Sequence, residues 1–178
     1  MIQWVVYLFT YMMAGMSLKL GDDLLDEFDT PSLAWFPLGA SGVLFGLLMV
    51  QSEWDLVLLS SIVIGVLLSG KVNRREFIIG FVAIGIILLV VGIPEITRIL
   101  DWLTLLFCLF MASVLDERGN DWTDKNLNPR ASLFFKYRFT LKVSALLLSI
   151  PWQLFFPVAI GLWIFDIGYE TIGWFMRR

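Results

Sequence analysis

Phe77-Ile78-Ile79-Gly80-Phe81-Val82-Ala83-Ile84-Gly85-Ile86-Ile87-Leu88-Leu89-Val90-Val91 runs without one polar side chain. Hydrocarbon gives backbone N–H and C=O groups no partner, so a segment placed in it satisfies its own hydrogen bonds as a helix or within a closed barrel. The apolar residues here are consecutive and do not alternate with polar ones, which selects the helix. Outward from this run, the basic stretch 70–75 precedes it, and Gly92 and Pro94 follow it.

The same reading repeats along the chain. Apolar runs cover 1–20, 33–50, 54–70, 76–93, 98–115, 132–150 and 152–176, at or a little below the roughly 17–25 residues that a bilayer core demands. They are separated by an acidic stretch at 21–32, polar residues at 51–53 and a long polar stretch at 116–130. The weakest break is 149–151, where Pro151 either kinks one long helix or turns the chain back. The first run lacks a basic leader and a small-residue cleavage pattern, and it is read as a retained helix. The expected fold is all-α: a polytopic membrane protein of about seven transmembrane helices in a bundle. It forms one domain over residues 1–178 with a weak internal repeat, its halves about 1–93 and 94–178.

Composition agrees and narrows the chemistry. At 58% hydrophobic and 16% charged, with a mean hydropathy of +0.81, the chain is far more apolar than a soluble domain of its size. Its single cysteine, Cys108, lies inside an apolar run, which excludes disulfides and a thiolate metal cluster. Histidine is absent, which removes the commonest general base and the commonest transition-metal ligand. A bound metal is then a hard ion on carboxylates, magnesium above all. Membrane lipids are expected partners, nucleic acid is not, and an oligomer is compatible with the pattern.

Charge placement fixes the expected orientation. With seven spans, all but one of the 13 Lys and Arg residues fall on one face, Arg98 being the exception. Positive flanks mark the cytoplasmic side. This places the chain in the cell membrane as a multi-pass protein, with the N-terminus outside and the C-terminus and both acidic loops in the cytoplasm. Tryptophans such as Trp4, Trp54 and Trp174 fall near the ends of the runs, as an interfacial belt requires.

The two acidic segments match each other. Asp22-Asp23-Leu24-Leu25-Asp26-Glu27-Phe28 and Asp116-Glu117-Arg118-Gly119-Asn120-Asp121-Trp122 align at an offset of 94 residues as acid, acid, any, any, Asp or Asn, acid, aromatic. Each follows an apolar run, and the offset spans an even number of runs, which returns both copies to one face of the membrane. That is the signature of an internal repeat with a site between its halves. If helical phase continues past Leu20, Asp22, Asp26 and Asp29 share a face, and Asp23 lies one turn from Asp26. In the second copy Asp116 shares a face with Asn120, and Glu117 with Asp121 and Asp124. Carboxylates crowded in this way repel unless a cation sits between them. Such oxygen clusters suit Mg2+, which keeps several waters and completes its shell from substrate phosphates.

Basic residues gather beside the second acidic segment. Arg130, Lys136, Arg138 and Lys142 surround the start of the 132–150 run, and Lys142 is expected inside the span, where a charge needs an anionic partner. A diphosphate bridged to the carboxylates is one such partner.

Asp22-Asp23-Leu24-Leu25-Asp26 is a DDxxD, and Asn120-Asp121-Trp122-Thr123-Asp124 is an NDxxD. With these motifs at cytoplasmic helix ends, the layout resembles the UbiA superfamily of intramembrane prenyltransferases. In that family two acidic motifs, four helices apart, clasp a prenyl diphosphate. The chain departs from the family pattern in carrying Asp22 where the first motif has Asn, Thr30 at its final position, and two helices fewer, as a minimal or divergent relative does. The resemblance implies prenyl transfer from a prenyl diphosphate, or another lipid substrate of this kind, to a small or lipid acceptor. Its metal ligands are Asp22, Asp23, Asp26, Asp116, Asn120, Asp121 and Asp124. Asp23, Asp26, Asp121 and Lys142 are the catalytic set, and Arg130, Arg138 and Lys142 hold the diphosphate. A CDP-alcohol-type phospholipid transferase is an alternative that lacks its DGxxAR pattern here. A second alternative is a non-enzymatic transporter or scaffold with cation-binding acidic loops.

Overall fold

The computed structural model describes residues 2–68, 74–126, 134–135 and 137–176, with the side chains of residues 121 and 124–126 outside the description. The described chain is all-helical and contains no strand. Its helices are α1 (Ile2–Asp26), α2 (Pro31–Met49), α3 (Glu53–Leu68), α4 (Phe77–Val91), α5 (Ile99–Asn126), α6 (Phe139–Leu148) and α7 (Phe156–Met176), with a 3-10 turn at Gln153–Phe155 before α7.

Each expected apolar run overlaps one of these helices, but helices and membrane spans are different quantities. Among the described residues, three segments can cross a membrane by length and composition: Pro31–Met49, Ile99–Asn120 and Gln153–Met176. On these grounds a helical membrane protein is supported and seven spans are not. α3, α4 and α6 have 16, 15 and 10 residues, and at about 1.5 Å per residue the last reaches only about 15 Å. α1 is long enough at 25 residues. Gln3, its tyrosines and its charged end make it too polar on average.

Two further expectations are corrected. α6 begins at Phe139, where Arg138 takes a left-handed conformation (φ 49°), so the helix is shorter than the 132–150 run. Residues 127–133 and 136 lie outside the described ones. α1 ends at Asp26, because the Thr30 N–H turns back to the Leu24 carbonyl at 2.9 Å and Asp29 adopts φ 46°. Asp29 therefore does not continue the face shared by Asp22 and Asp26. Pro31 opens α2, where a missing N–H costs nothing.

The chain forms two compact units interleaved in sequence: Met1–Ser52 with Arg74–Glu95 and Ile160–Arg178, and Glu53–Asn73 with Ile96–Ala159. Neither corresponds to a contiguous half, 1–93 or 94–178. In the first unit small residues bring helix backbones together, the packing mode open to apolar helices that lack a hydrophobic drive between them. A Cβ on Gly15 would meet the Phe165 carbonyl, one on Gly168 the Met12 carbonyl, and one on Gly42 the backbone of Gly80. Phe45 and Phe165 pack edge to face at 5.6 Å. In the second unit Gly65 admits the Ser113 side chain, and the Trp102 indole donates to the Glu53 carbonyl at 3.0 Å.

Candidate functional site

The first acidic motif belongs to the first unit and the second motif to the second unit. Each is built locally. α1 runs on as helix past its apolar part to Asp26, which sets Asp22 and Asp23 each about one turn before Asp26. Asp23 is 2% exposed, and its Oδ1 lies 2.6 Å from Lys19 Nζ. Its other oxygen is buried and has no hydrogen-bond partner. Asp22 is half-buried. It accepts the Tyr169 hydroxyl at 3.1 Å and lies 3.6 Å from Lys19. The Lys19 ammonium also sits 5.2 Å from the centre of the Tyr169 ring. Asp26 is exposed.

In the second unit α5 likewise continues as helix through Asn126. Asp116 is 1% exposed, and both its oxygens are engaged. Oδ1 accepts the Thr140 N–H at 3.1 Å, and Oδ2 accepts the Leu141 N–H at 2.7 Å. These are first-turn amides of α6 with no partner in their own helix, so Asp116 caps α6 from another helix. Glu117 is buried, 3.4 Å from Arg138. Lys142 is 4% exposed, with its ammonium 4.8 Å from the Phe139 ring centre. Asn120 is half-buried. Asp121 and Asp124 lie on α5 with side chains outside the description, and Arg130 lies outside the described residues.

The repeat seen in sequence has a local counterpart in chemistry. The second acid of each motif forms an ion pair with a base, Asp23 with Lys19 and Glu117 with Arg138. The first acid of each accepts a hydrogen bond from another helix, Asp22 from Tyr169 and Asp116 from the α6 amides. Sequence reading missed Lys19 and Tyr169. Lys19 was findable, four residues before Asp23 on the same helix face. Tyr169 was not, being 147 residues away from its partner.

Magnesium fits these residues unevenly. Among the described residues no group of three or more His, Cys, Asp or Glu side chains could hold a metal ion. Asp116 presents both oxygens to the α6 amides. Asp22, Asp23 and Asp26 follow one another along the end of α1, and the second Asp23 oxygen is buried without a hydrogen-bond partner. Comparison with protein-family models, with curated proteins and with solved structures finds no match for the chain.

Two predictions arise from this geometry. Asp116→Ala leaves the Thr140 and Leu141 amides without acceptors. It is expected to cost about 1–2 kcal/mol and to speed hydrogen exchange at those two amides. Unchanged exchange there would refute the capping role. The second concerns Asp22. Burial pushes its carboxyl above the usual carboxylate range, with Lys19 opposing and Asp26 and Asp23 adding to the rise. A carboxyl raised in the folded state destabilises the fold when charged, and that penalty fades as pH falls through the raised value toward the unfolded one. Asp22→Asn keeps an acceptor for Tyr169, so it is expected to raise the thermal midpoint at neutral pH, with the gap closing in acid. Melting both proteins in detergent across pH checks the sign.

Proposed function

We propose that the chain is a multi-pass membrane protein whose seven described helices all lie in or partly in the bilayer, with the polar ends of α1 and α5 on the cytoplasmic face. These ends act on a lipid diphosphate, of which a prenyl diphosphate is the leading candidate, and transfer its lipid to a small or lipid acceptor. The observation that carries this reading is the matched pair of helix extensions. Each displays the same acidic pattern, and in each the second acid is charge-paired to a base.

In this reading Asp22 and Asp26 of α1, and separately Asp121 and Asp124 of α5, would hold Mg2+, and Arg138 and Lys142, beside the second motif, would supply positive charge to a diphosphate. Bound magnesium supplies neutralisation of the leaving diphosphate's charge. The protein's own part is preorganisation: Lys19 fixes Asp23, Tyr169 orients Asp22, and Asp116 holds the start of α6, which carries Lys142. Apolar helix walls exclude water from the lipid as the carbon–oxygen bond to the diphosphate breaks.

Asp26→Asn and Asp121→Asn test this better than substitutions of buried Asp23, whose loss would strand Lys19. With purified protein, Mg2+ and a panel of prenyl diphosphates, each variant is expected to lose about 10- to 100-fold in turnover, the loss typical of residues supporting a metal. Turnover equal to wild type, or none by wild type on any substrate, sinks the proposal. A second reading, a transporter or scaffold whose acidic helix ends bind a cation, draws on the same charge-paired motifs. Cation flux into sealed vesicles without lipid turnover would identify it.

A further inference from the structure

α2 and α4 belong to the first unit and run in the same direction. Their contacts advance together along both helices: Gly39 lies opposite Ile79, Gly42 opposite the Gly80 backbone, and Gly46 opposite Ile87. Both helices therefore start at one end of the unit. There the surface holds an open groove of about 480 Å³, lined by Ser32, Trp35, Phe36, Gly39, Ala40 and Ile79. Residues 32, 35, 36, 39 and 40 share one face of α2 by helical spacing. The two rings stand at its edge, and the small Gly39 and Ala40 leave the hollow beyond them. A space of this size takes a small ligand or a length of acyl chain.

Charge lies at the same end. The Ile78 N–H donates to the Arg75 carbonyl at 3.0 Å, and the Ile79 N–H donates to the Glu76 carbonyl at 3.3 Å. The turn that carries Arg74 and Arg75 thus passes directly into α4, with Arg75 about one helical turn before Ile79 in the groove wall. Both arginines are exposed, and neither forms an ion pair among the described residues. Glu76 is the one acid in this turn and is half-buried, so the turn keeps a net positive charge.

Positive flanks alone account for arginines at a helix end, and a bilayer alone accounts for apolar helix surface. Their meeting at one groove selects a ligand. Phe36 is 86% exposed and Trp35 43% exposed, and tryptophan settles at the headgroup level, where Arg attracts anionic lipids. A free phosphate would satisfy the arginines and leave the groove empty. A zwitterionic lipid would fill the groove and bring no net charge to them. An anionic phospholipid does both.

We propose that the groove between the starts of α2 and α4 binds an anionic phospholipid, with its headgroup phosphate on Arg74 and Arg75 and the upper part of one chain against Trp35, Phe36 and Ile79. This rests on the membrane part of the reading above and uses none of the residues assigned to the diphosphate, so lipid binding and turnover fail separately.

The full chain in neutral detergent is titrated with phosphatidylglycerol, with phosphatidylcholine and with inorganic phosphate, and the thermal midpoint is followed. A ligand that binds only the folded state raises it. Phosphatidylglycerol is expected to raise the midpoint, while the other two leave it in place. The double variant Arg74→Gln, Arg75→Gln is expected to need about thirtyfold more phosphatidylglycerol for the same rise, the effect of two near-surface charges. It carries the test by itself, since both side chains lie on the surface. Gly39→Leu fills the groove: a Cβ there meets Ile79 only at an ordinary 3.5 Å, and a leucine suits a helix better than glycine. It is expected to abolish the response with the lipid-free midpoint at or above the wild-type value. No response to phosphatidylglycerol, equal responses to both lipids, a response to inorganic phosphate alone, or an undiminished response in the arginine variant would each overturn the proposal. Self-association in lipid-free detergent that Gly39→Leu abolishes would place a second copy of the chain in the groove and overturn it as well.

Discussion

Lys19→Met is expected to destabilise the protein by about 3–5 kcal/mol, because it strands a buried carboxylate. Asp23 is 2% exposed, Lys19 supplies a 2.6 Å contact to Oδ1, and its second oxygen already lacks a hydrogen-bond partner. With the ammonium gone, the carboxylate must take up a proton or drag water inward. Either route weakens the end of α1, including the Asp22–Tyr169 bond. The double variant Lys19→Met, Asp23→Leu removes both charges and replaces them with apolar groups of similar size. It is expected to recover most of the loss, since a buried ion pair is worth little against well-packed apolar residues while half of one is costly. Detergent-stable protein unfolded by heat or by a graded denaturing detergent reads the cycle. A single Lys19→Met variant within 1 kcal/mol of wild type, below the about 3 kcal/mol set by the stranded charge, would show that Asp23 is not held as a buried anion.

The behaviour of Lys19 also shows where sequence reading reaches and where it stops. Continuous apolar runs such as 76–93 identified the helices, because unpaired backbone groups in an apolar run have no other local solution. The number of spans was less legible. Hydropathy marks where a helix is, but whether it crosses depends on where it ends, and that is decided by single residues. Arg138 in a left-handed conformation moves the start of α6 to Phe139, and Asp29 in another ends the acidic face of α1 early. Neither residue is a glycine or proline, so neither announces a break.

Acidic residues were likewise found by spacing but not by role. Asp22 and Asp116 occupy equivalent places in the two motifs, yet Asp22 meets a tyrosine from α7 and Asp116 meets backbone amides of α6. Carboxylate spacing along a helix is set by the helix. What each carboxylate faces is set by tertiary packing, which one sequence does not contain. At Asp116 the sequence shows a carboxylate in the motif, and the fold adds the amides of an approaching helix start to both of its oxygens.

Gly15→Ala and Gly85→Ala change stability in opposite directions, although both add one methyl to a helix glycine. At Gly15 the new carbon would run into the Phe165 carbonyl oxygen and approach Tyr169 N at 3.1 Å. These are backbone atoms, which have no rotamer to yield. α1 and α7 must separate, and the separation is felt at Gly168, which in turn rests on the Met12 backbone. A loss of about 3 kcal/mol is expected, at the upper end of overpacking costs, because two backbones move and not one side chain. At Gly85 nothing lies within 4 Å of the added carbon. There the methyl only restricts the unfolded chain and favours the helix, a gain of up to about 1 kcal/mol. Because the chemical change is identical, helix propensity cancels to first order between the two sites, and the difference measures how closely α1 and α7 approach. Denaturation midpoints that fall together, or a Gly15 variant as stable as wild type, would mean that these helices do not meet backbone to backbone. Tyr169 would then have no fixed position from which to hold Asp22.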